Sequence, residues 1–245
     1  MLFELESLFA WCTSRVEINT IFINSTTAEF SQGHDLEKLS SLNANQLDKI
    51  NTKLHKIIFA MMQLPQTVVI DLGEGSQTIA SEFALGADIR IASQNAQVSF
   101  NHCKFGLVPA AGGMSILSTL ISSSYARNWT LSGAPIKDLV ESGFVSETYF
   151  EGNKDEVVSS LLQRIAQNAP VQRIQTKLGL FEAVRAQLES GIVMDRKIAK
   201  ASMVSEDWKT KQSESTQKEF MPAKSMSYSV KLSLIKSEEG PSIEH

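Results

Sequence analysis

The sequence is short of the residues that would declare a specialised class of protein. It carries two cysteines, Cys12 and Cys103, in 245 residues. Two thiols so far apart supply neither a disulfide framework nor the paired spacing of a metal site, and they point to a reducing, intracellular setting. Basic charge is not in excess. Lysine and arginine number 23 against 27 acidic residues, for a net charge of −4, so the basic face of a nucleic-acid binder is missing. No apolar run approaches the roughly 18 residues of a membrane helix. The opening "MLFELESLFAWC" carries glutamates where a signal peptide carries lysines. There is no low-complexity tract and no repeat of fixed period. These absences leave a cytoplasmic globular protein with no nucleic-acid and no membrane partner. Its 42% hydrophobic and 20% charged residues are ordinary for that class, and the length allows one large core or a core with an appendage.

What is there alternates between strand-like and helix-like segments. Residues 2–13 place Leu2, Leu5, Leu8, Phe9 and Cys12 at helical spacing. The β-branched "INTIFINS" (18–25) reads as a buried strand, and "EFSQGHDLEKL" follows, with Gly33 at a turn and Asp35 at a helix start. Residues 45–63 predict a strong helix, because Leu47, Ile50, Leu54, Ile57, Ile58, Met61 and Met62 share one stripe and Pro65 stops it. "TVVIDLG" (67–73) is a continuous apolar strand of the kind a sheet covered on both faces requires. A turn at 74–78, a short helix in "IASEFALGAD" and short strands in "IRIAS" and "AQVSF" come next. Helices are predicted over 114–129 and 136–142 and, beyond residue 155, throughout, up to a polar tail after Ser227 that is expected to be disordered. Strand, turn, helix, strand recurs, which predicts an α/β fold with crossover connections.

Two loops are rich enough in functional groups to carry chemistry. One is Gly33-His34-Asp35 after the first strand; the other is the helix start around Ile79, Ala80 and Glu82 after the second. Unpaired N–H groups at such transitions, if two converge, make an oxyanion hole. Glu82 reads either as a dipole partner in its helix or as a carboxylate reaching toward that point. His102 reads either as a structural loop histidine or as a proton-transfer group projecting from a strand end. Cys103 reads as a small buried hydrophobe. Gly112 and Gly113 are consistent with a plain helix start.

In this order the segments resemble the crotonase superfamily, the enoyl-CoA hydratases, isomerases and their relatives. "FSQGHDLEKL" is similar to that family's first oxyanion motif, F-x-x-G-x-D-[IL]. "ASEFALGADIRIAS" is similar to its G-G-C/A-x-E-L-A-L-A-C-D-x-x-x-A segment. "AQVSFNHCKFGLVPAAGG" and "LSGAPIKDLVESGFVSETY" resemble the two segments that follow, and "SEDWKTK" is a looser echo near the end. The resemblance covers about residues 2–149.

It implies a spiral of ββα units with a C-terminal helical region: a spiral core over 1–170, a helical trimerisation region over 171–230 and a tail over 231–245. It also implies an acyl-CoA substrate, coenzyme A being part of that substrate, with no separate cofactor and no metal, and a homotrimer or dimer of trimers. The oxyanion N–H groups fall on His34 and Ile79, the catalytic pair on Glu82 and His102, and further substrate-binding positions on Gly33, Asp35, Ala80, Pro109 and Gly112. Three departures stand out. The glycine run before the first glutamate is here Thr78-Ile79-Ala80, and the Pro-Glu pair is Asn101-His102. The β-hairpin that opens the family's pattern precedes the point where this sequence starts. The expected reaction is hydration or double-bond isomerisation; the alternative is a protein that binds CoA esters or protein partners without turnover.

Overall fold

The computed structural model describes residues 2–136, 138–205, 207–209 and 228–231. Helix α1 (Leu2–Thr13) leads into strand β1 (Thr20–Ser25), a short α2 (Leu36–Ser41) and the long α3 (Ala44–Gln63). Two turns of the spiral follow: β2 (Thr67–Asp71), β3 (Gly75–Gln77) and α4 (Ile79–Ala84), then β4 (Ile89–Ser93), β5 (Gln97–Ser99) and a 3-10 turn at Asn101–Phe105. The remainder is α5 (Leu117–Leu120), α6 (Ser123–Ser132), β6 (Glu147–Tyr149), α7 (Lys154–Ala166), α8 (Pro170–Ser202) and β7 (Tyr228–Lys231).

Two sheets organise these elements. The larger has the order β6-β4-β2-β1-β7, and β1, β2, β4 and β6 are all parallel. Their apolar runs are buried on both faces: Ile21, Val68, Val69, Ile70, Ile91 and Ala92 are fully enclosed, as parallel strands roofed by crossover helices must be. The smaller sheet pairs β3 with β5 and is continued by isolated bridges, Ser31 to Ser76 on one side and Val98 to Ile136 on the other. Each passage through the fold thus adds a strand to the large sheet and a strand or a single bridge to the small one. This is the expected α/β spiral with a helical C-terminal region.

Helix α3 forms where the stripe predicted it, and a capping box closes its start, with Asn43 and Gln46 exchanging side-chain and backbone bonds. Its buried face also includes Asn51 and His55, at i and i+4 of the apolar stripe. Helix α8 runs 33 residues and packs on α3. Lys177 anchors it by donating to the carbonyls of Met61 (2.9 Å) and Gln66 (2.8 Å) and pairing with Asp88 (2.6 Å). Among the described residues no helix is long and apolar enough to cross a membrane.

Four expectations need correction. Residues 75–77 are a strand, not part of a turn, because β5 offers them a parallel partner. The helix expected over 114–129 is broken, and Ser122 starts a new one by accepting the Tyr125 N–H. Ile136 joins the small sheet, its N–H donating to the Val98 carbonyl at 2.7 Å, and residues 139–143 are turns rather than helix. Finally, Tyr228–Lys231 is neither helix nor disordered tail but a strand antiparallel to β1, with Ile23 opposite Val230. It satisfies the backbone groups of an edge that would otherwise stand open. Residues 232–245, the rest of the expected tail, lie outside the described residues.

Candidate active site

Glu82 sits in the fourth position of α4 and is 2% exposed. A buried carboxylate must be fully partnered to stay ionised, and this one is. Its Oε1 accepts the N–H groups of Ala111 (2.7 Å) and Gly113 (2.9 Å), and its Oε2 lies 3.0 Å from His102 Nε2. The run of small residues at 110–113 therefore builds a carboxylate cradle, not a helix start. A side chain at Gly113 would stand 2.5 Å from Pro109 Cβ and 3.1 Å from Glu82 Oε1, and Gly112 has φ +116°, so both glycines are needed for the loop to close on the carboxylate. Burial by itself opposes ionisation of Glu82. The pull of His102, the hydrogen bond between them and the Gly113 and Ala111 N–H groups outweigh it and hold the carboxyl below its ordinary range.

His102 is 1% exposed and lies in the 3-10 turn that follows β5, a turn stopped by Gly106 in the left-handed region. Its neighbour Cys103 points the other way and is exposed, against expectation, because successive residues of a tight turn diverge. The Nδ1 of His102 is buried and has no hydrogen-bond partner.

His34 approaches the pair from the loop after β1, its ring 6.2 Å from that of His102 in an edge-to-face arrangement. Burial, then the neighbouring His102, push its imidazole down to about 3, with Glu82 opposing, so it is neutral at ordinary pH. Gly33, at φ +85°, lets the loop lie directly against Thr78. Thr78 itself holds φ 45° and ψ −123°, a rare conformation for a β-branched residue. Its Oγ1 lies 3.3 Å from both the backbone nitrogen and the Nδ1 of His34. The Ile79 N–H, first in α4, has no carbonyl of its own helix to bond.

Two cavities meet at His34. One, of ≈ 230 Å³, is apolar, walled by Leu2, Leu5, Phe30, Leu54, Ile79 and Phe83, with Gly33, His34 and Ala80 on its rim. The other has only ≈ 10 Å³ open to the centre of a water molecule and is lined by His34, Glu82 and His102 together with Asn51, Leu107 and Trp208. The fold thus brings together Gly33, His34, Ile79 and Ala80 on one side and Glu82 and His102 on the other. Pro109 and Gly112 serve from behind, in the cradle. Asp35 lines neither cavity: it is exposed, caps α2 by accepting the Lys38 N–H (3.1 Å) and pairs with the Lys38 ammonium (2.9 Å). Among the described residues no group of three or more His, Cys, Asp or Glu side chains can hold a metal ion.

Sequence reasoning passed over four residues here. His55, 4% exposed and pushed down to about 4 by burial and by Arg196 against the pull of Glu82, was hidden in the stripe of α3. Three of the four histidines therefore surround or sense Glu82. Thr78 betrayed itself only as a departure from a glycine run. Trp208 belongs to the "SEDWKTK" echo and is 1% exposed. Asp195, from α8, accepts from Ser115 Oγ (2.6 Å) and Ser115 N–H (3.3 Å), pinning the loop that follows the cradle. Gly191, one helical turn earlier, leaves the room that Ser115 needs.

Residues 1–223 match the family model described as enoyl-CoA hydratase/isomerase. The chain is 23% identical over 211 residues to the 2,3-dehydroadipyl-CoA hydratase of Escherichia coli, a match covering 84% of this chain and 81% of that protein. Its fold is similar to the crystal structure of an enoyl-CoA hydratase from Bacillus halodurans, with a TM-score of 0.79 at 19% identity over 87% of this chain and 88% of that one. An enoyl-CoA hydratase from Mycobacterium avium subsp. paratuberculosis gives a TM-score of 0.77 at 19% identity, covering 86% of each chain.

Proposed function

The chain belongs to the enoyl-CoA hydratase/isomerase family, and on that footing we propose that it acts on an acyl-CoA thioester, hydrating a 2-enoyl chain or moving its double bond. The observation that carries this reading is the buried Glu82–His102 pair, 3.0 Å apart, next to His34 where an apolar cavity ends. Chemistry next to a thioester carbonyl makes an enolate, which needs donors for its oxygen and a group to move the proton. In this reading the N–H groups of His34 and Ile79 hold the thioester oxygen, Gly33 and Ala80 shape the approach, and Glu82 with His102 moves the proton. The apolar cavity takes the acyl chain or the pantetheine arm. Coenzyme A enters only as part of the substrate, and no other cofactor or metal is required.

The test is incubation with crotonyl-CoA, followed by loss of the conjugated enoyl absorbance and by mass gain of one water. Glu82→Gln keeps the shape and should lower turnover at least about a hundredfold while leaving crotonyl-CoA affinity within about twofold. Turnover unchanged in Glu82→Gln removes Glu82 from the chemistry.

One observation favours a second reading, a CoA-ester binder without turnover. The His34 N–H already donates to Thr78 Oγ1 at 3.3 Å, so the oxygen site has an internal occupant. Calorimetric binding of crotonyl-CoA with no product formed would select this reading.

Assembly belongs to the same proposal. Helix α8 exposes Val171, Leu178, Leu180, Val193, Met194 and Ile198, with Leu180 at 70% and Val193 at 69%. So many exposed apolar side chains along one helix support a homotrimer or dimer of trimers. A cytoplasmic location is supported by the two unpaired thiols, Cys12 and Cys103.

A further inference from the structure

Which atom of the Glu82–His102 pair can take a proton follows from the hydrogen bonds. Both oxygens of Glu82 are engaged, Oε1 by two N–H groups and Oε2 by His102 Nε2. A carboxylate so held fixes the imidazole as the Nε2–H tautomer and stabilises it once protonated, leaving the other nitrogen as the base. That nitrogen, Nδ1, is buried and unpartnered. A second orphan belongs to the same small chamber: Trp208 Nε1, a donor, is also buried without a partner. Both residues line the small chamber, whose ≈ 10 Å³ matches about one water. Native interiors rarely leave such atoms unmet, and one donor with one acceptor around a space of that size is the setting of a structural water.

We propose that this chamber binds one water molecule, which accepts from Trp208 Nε1–H and donates to His102 Nδ1, and that His102, backed by Glu82, is the base that activates it. The catalytic part rests on the hydratase reading above. In the step, the water oxygen forms a bond to C3 of the enoyl thioester as its proton passes to Nδ1. The C2–C3 π pair becomes the C1–C2 double bond of an enolate as the carbonyl π pair moves onto the thioester oxygen, and collapse of the enolate takes the proton from the imidazolium to C2, so that one water in all has been added. Glu82 orients and stabilises the imidazole instead of taking the proton itself. Trp208 also sets specificity. It confines the chamber to about the size of one water, so the acyl tail lies in the apolar cavity while C2 and C3 meet the water where the two cavities adjoin at His34. Gly106 makes this possible: a Cβ there would stand 2.6 Å from the Trp208 backbone nitrogen, at φ +69°.

Trp208→β-(3-benzothienyl)alanine removes the N–H and keeps both fused rings, and its effect on stability has opposite signs under the two alternatives. With a bound water, the variant loses a hydrogen bond and melts at lower temperature. With a dry chamber, it relieves an unmet donor and melts at the same or higher temperature, which overturns the proposal. A high-resolution structure of the unaltered protein must show a water within hydrogen-bond distance of both nitrogens; density for none overturns it independently of any variant. Nitrogen-15 spectra must show the His102 Nε2–H tautomer, and the Nδ1–H form refutes the assignment of the base. On crotonyl-CoA, the same variant should lower kcat for hydration about tenfold with KM little changed, and equal kcat refutes the catalytic role. If the unaltered protein hydrates no enoyl-CoA, the hydratase reading fails, while the melting and structural results still decide the water site.

Discussion

Thr78 Oγ1 lies 3.3 Å from two nitrogens of one residue, the backbone N and the ring Nδ1 of His34. The hydroxyl thereby stands where a ligand oxygen would seek the His34 N–H. It does so from a backbone at φ 45°, ψ −123°, a conformation that costs a non-glycine residue about 1–3 kcal/mol. Strain held at this spot, and at no other non-glycine residue among those described, connects backbone geometry to access to the site.

Thr78→Gly should therefore do two things at once. Glycine adopts this conformation freely, so the variant should gain up to about 1 kcal/mol in denaturant unfolding, net of the glycine entropy cost. The freed His34 N–H should bind crotonyl-CoA about five- to tenfold more tightly, as one hydrogen bond's worth allows. Isothermal titration measures the second effect, and unchanged affinity would show that the hydroxyl does not compete with the ligand.

Asp195 predicts a pH dependence of stability. Burial first, and the charge of Glu82 after the opposing Ser115 hydrogen bond, raise its carboxyl to about 6 from an ordinary 3.8. A folded value above the unfolded one means that the contribution is fully present below the unfolded value and is lost as pH rises through the folded one. The loss, at 1.36 kcal/mol per unit, is about 3 kcal/mol. Asp195→Asn keeps an acceptor for Ser115 and removes the charge. It should be more stable than the unaltered protein above about pH 7 and should lose that advantage toward pH 4. Urea unfolding at both pH values measures this, and an advantage independent of pH would sink the assignment.

The exposed apolar side chains of α8 predict self-association. Leu180→Asp combined with Val193→Asp places two charges at exposed positions without touching the core side, where Phe181 and Leu188 are buried. Sedimentation should show the unaltered chain as a trimer or hexamer at micromolar concentration and the double variant as a monomer with an unchanged far-ultraviolet spectrum. A monomeric unaltered chain would remove the assembly from the proposal.

Periodicity was enough for the elements whose burial pattern repeats. The stripe of α3, the apolar runs of β1 and β2, the short strand β4 and the helix start at Asp35 are local features, and each appears at its expected place. Residues 75–77 escaped because a three-residue strand has no period to read and exists only through its pairing with β5. Likewise Ile136 and Tyr228–Lys231 were decided by a distant partner edge, Val98 and β1 respectively.

For the site, the sequence by itself determined the cast: Glu82, His102, His34 and the run of small residues at 110–113 stood out by type and order. What it could not determine was how they face one another. Direct contact between Glu82 and His102, the two N–H groups on Oε1 and the Thr78 hydroxyl at His34 arise from approaches 20, 29 to 31 and 44 residues apart in the chain. His55, Asp195 and Trp208 joined only when α3, α8 and the segment after α8 closed over the cradle. Burial is the physical reason for the division. Periodicity records which side of a segment is shielded from water, but the charge state, tautomer and reach of a polar side chain depend on the particular atoms that shield it, and those come from elsewhere in the chain.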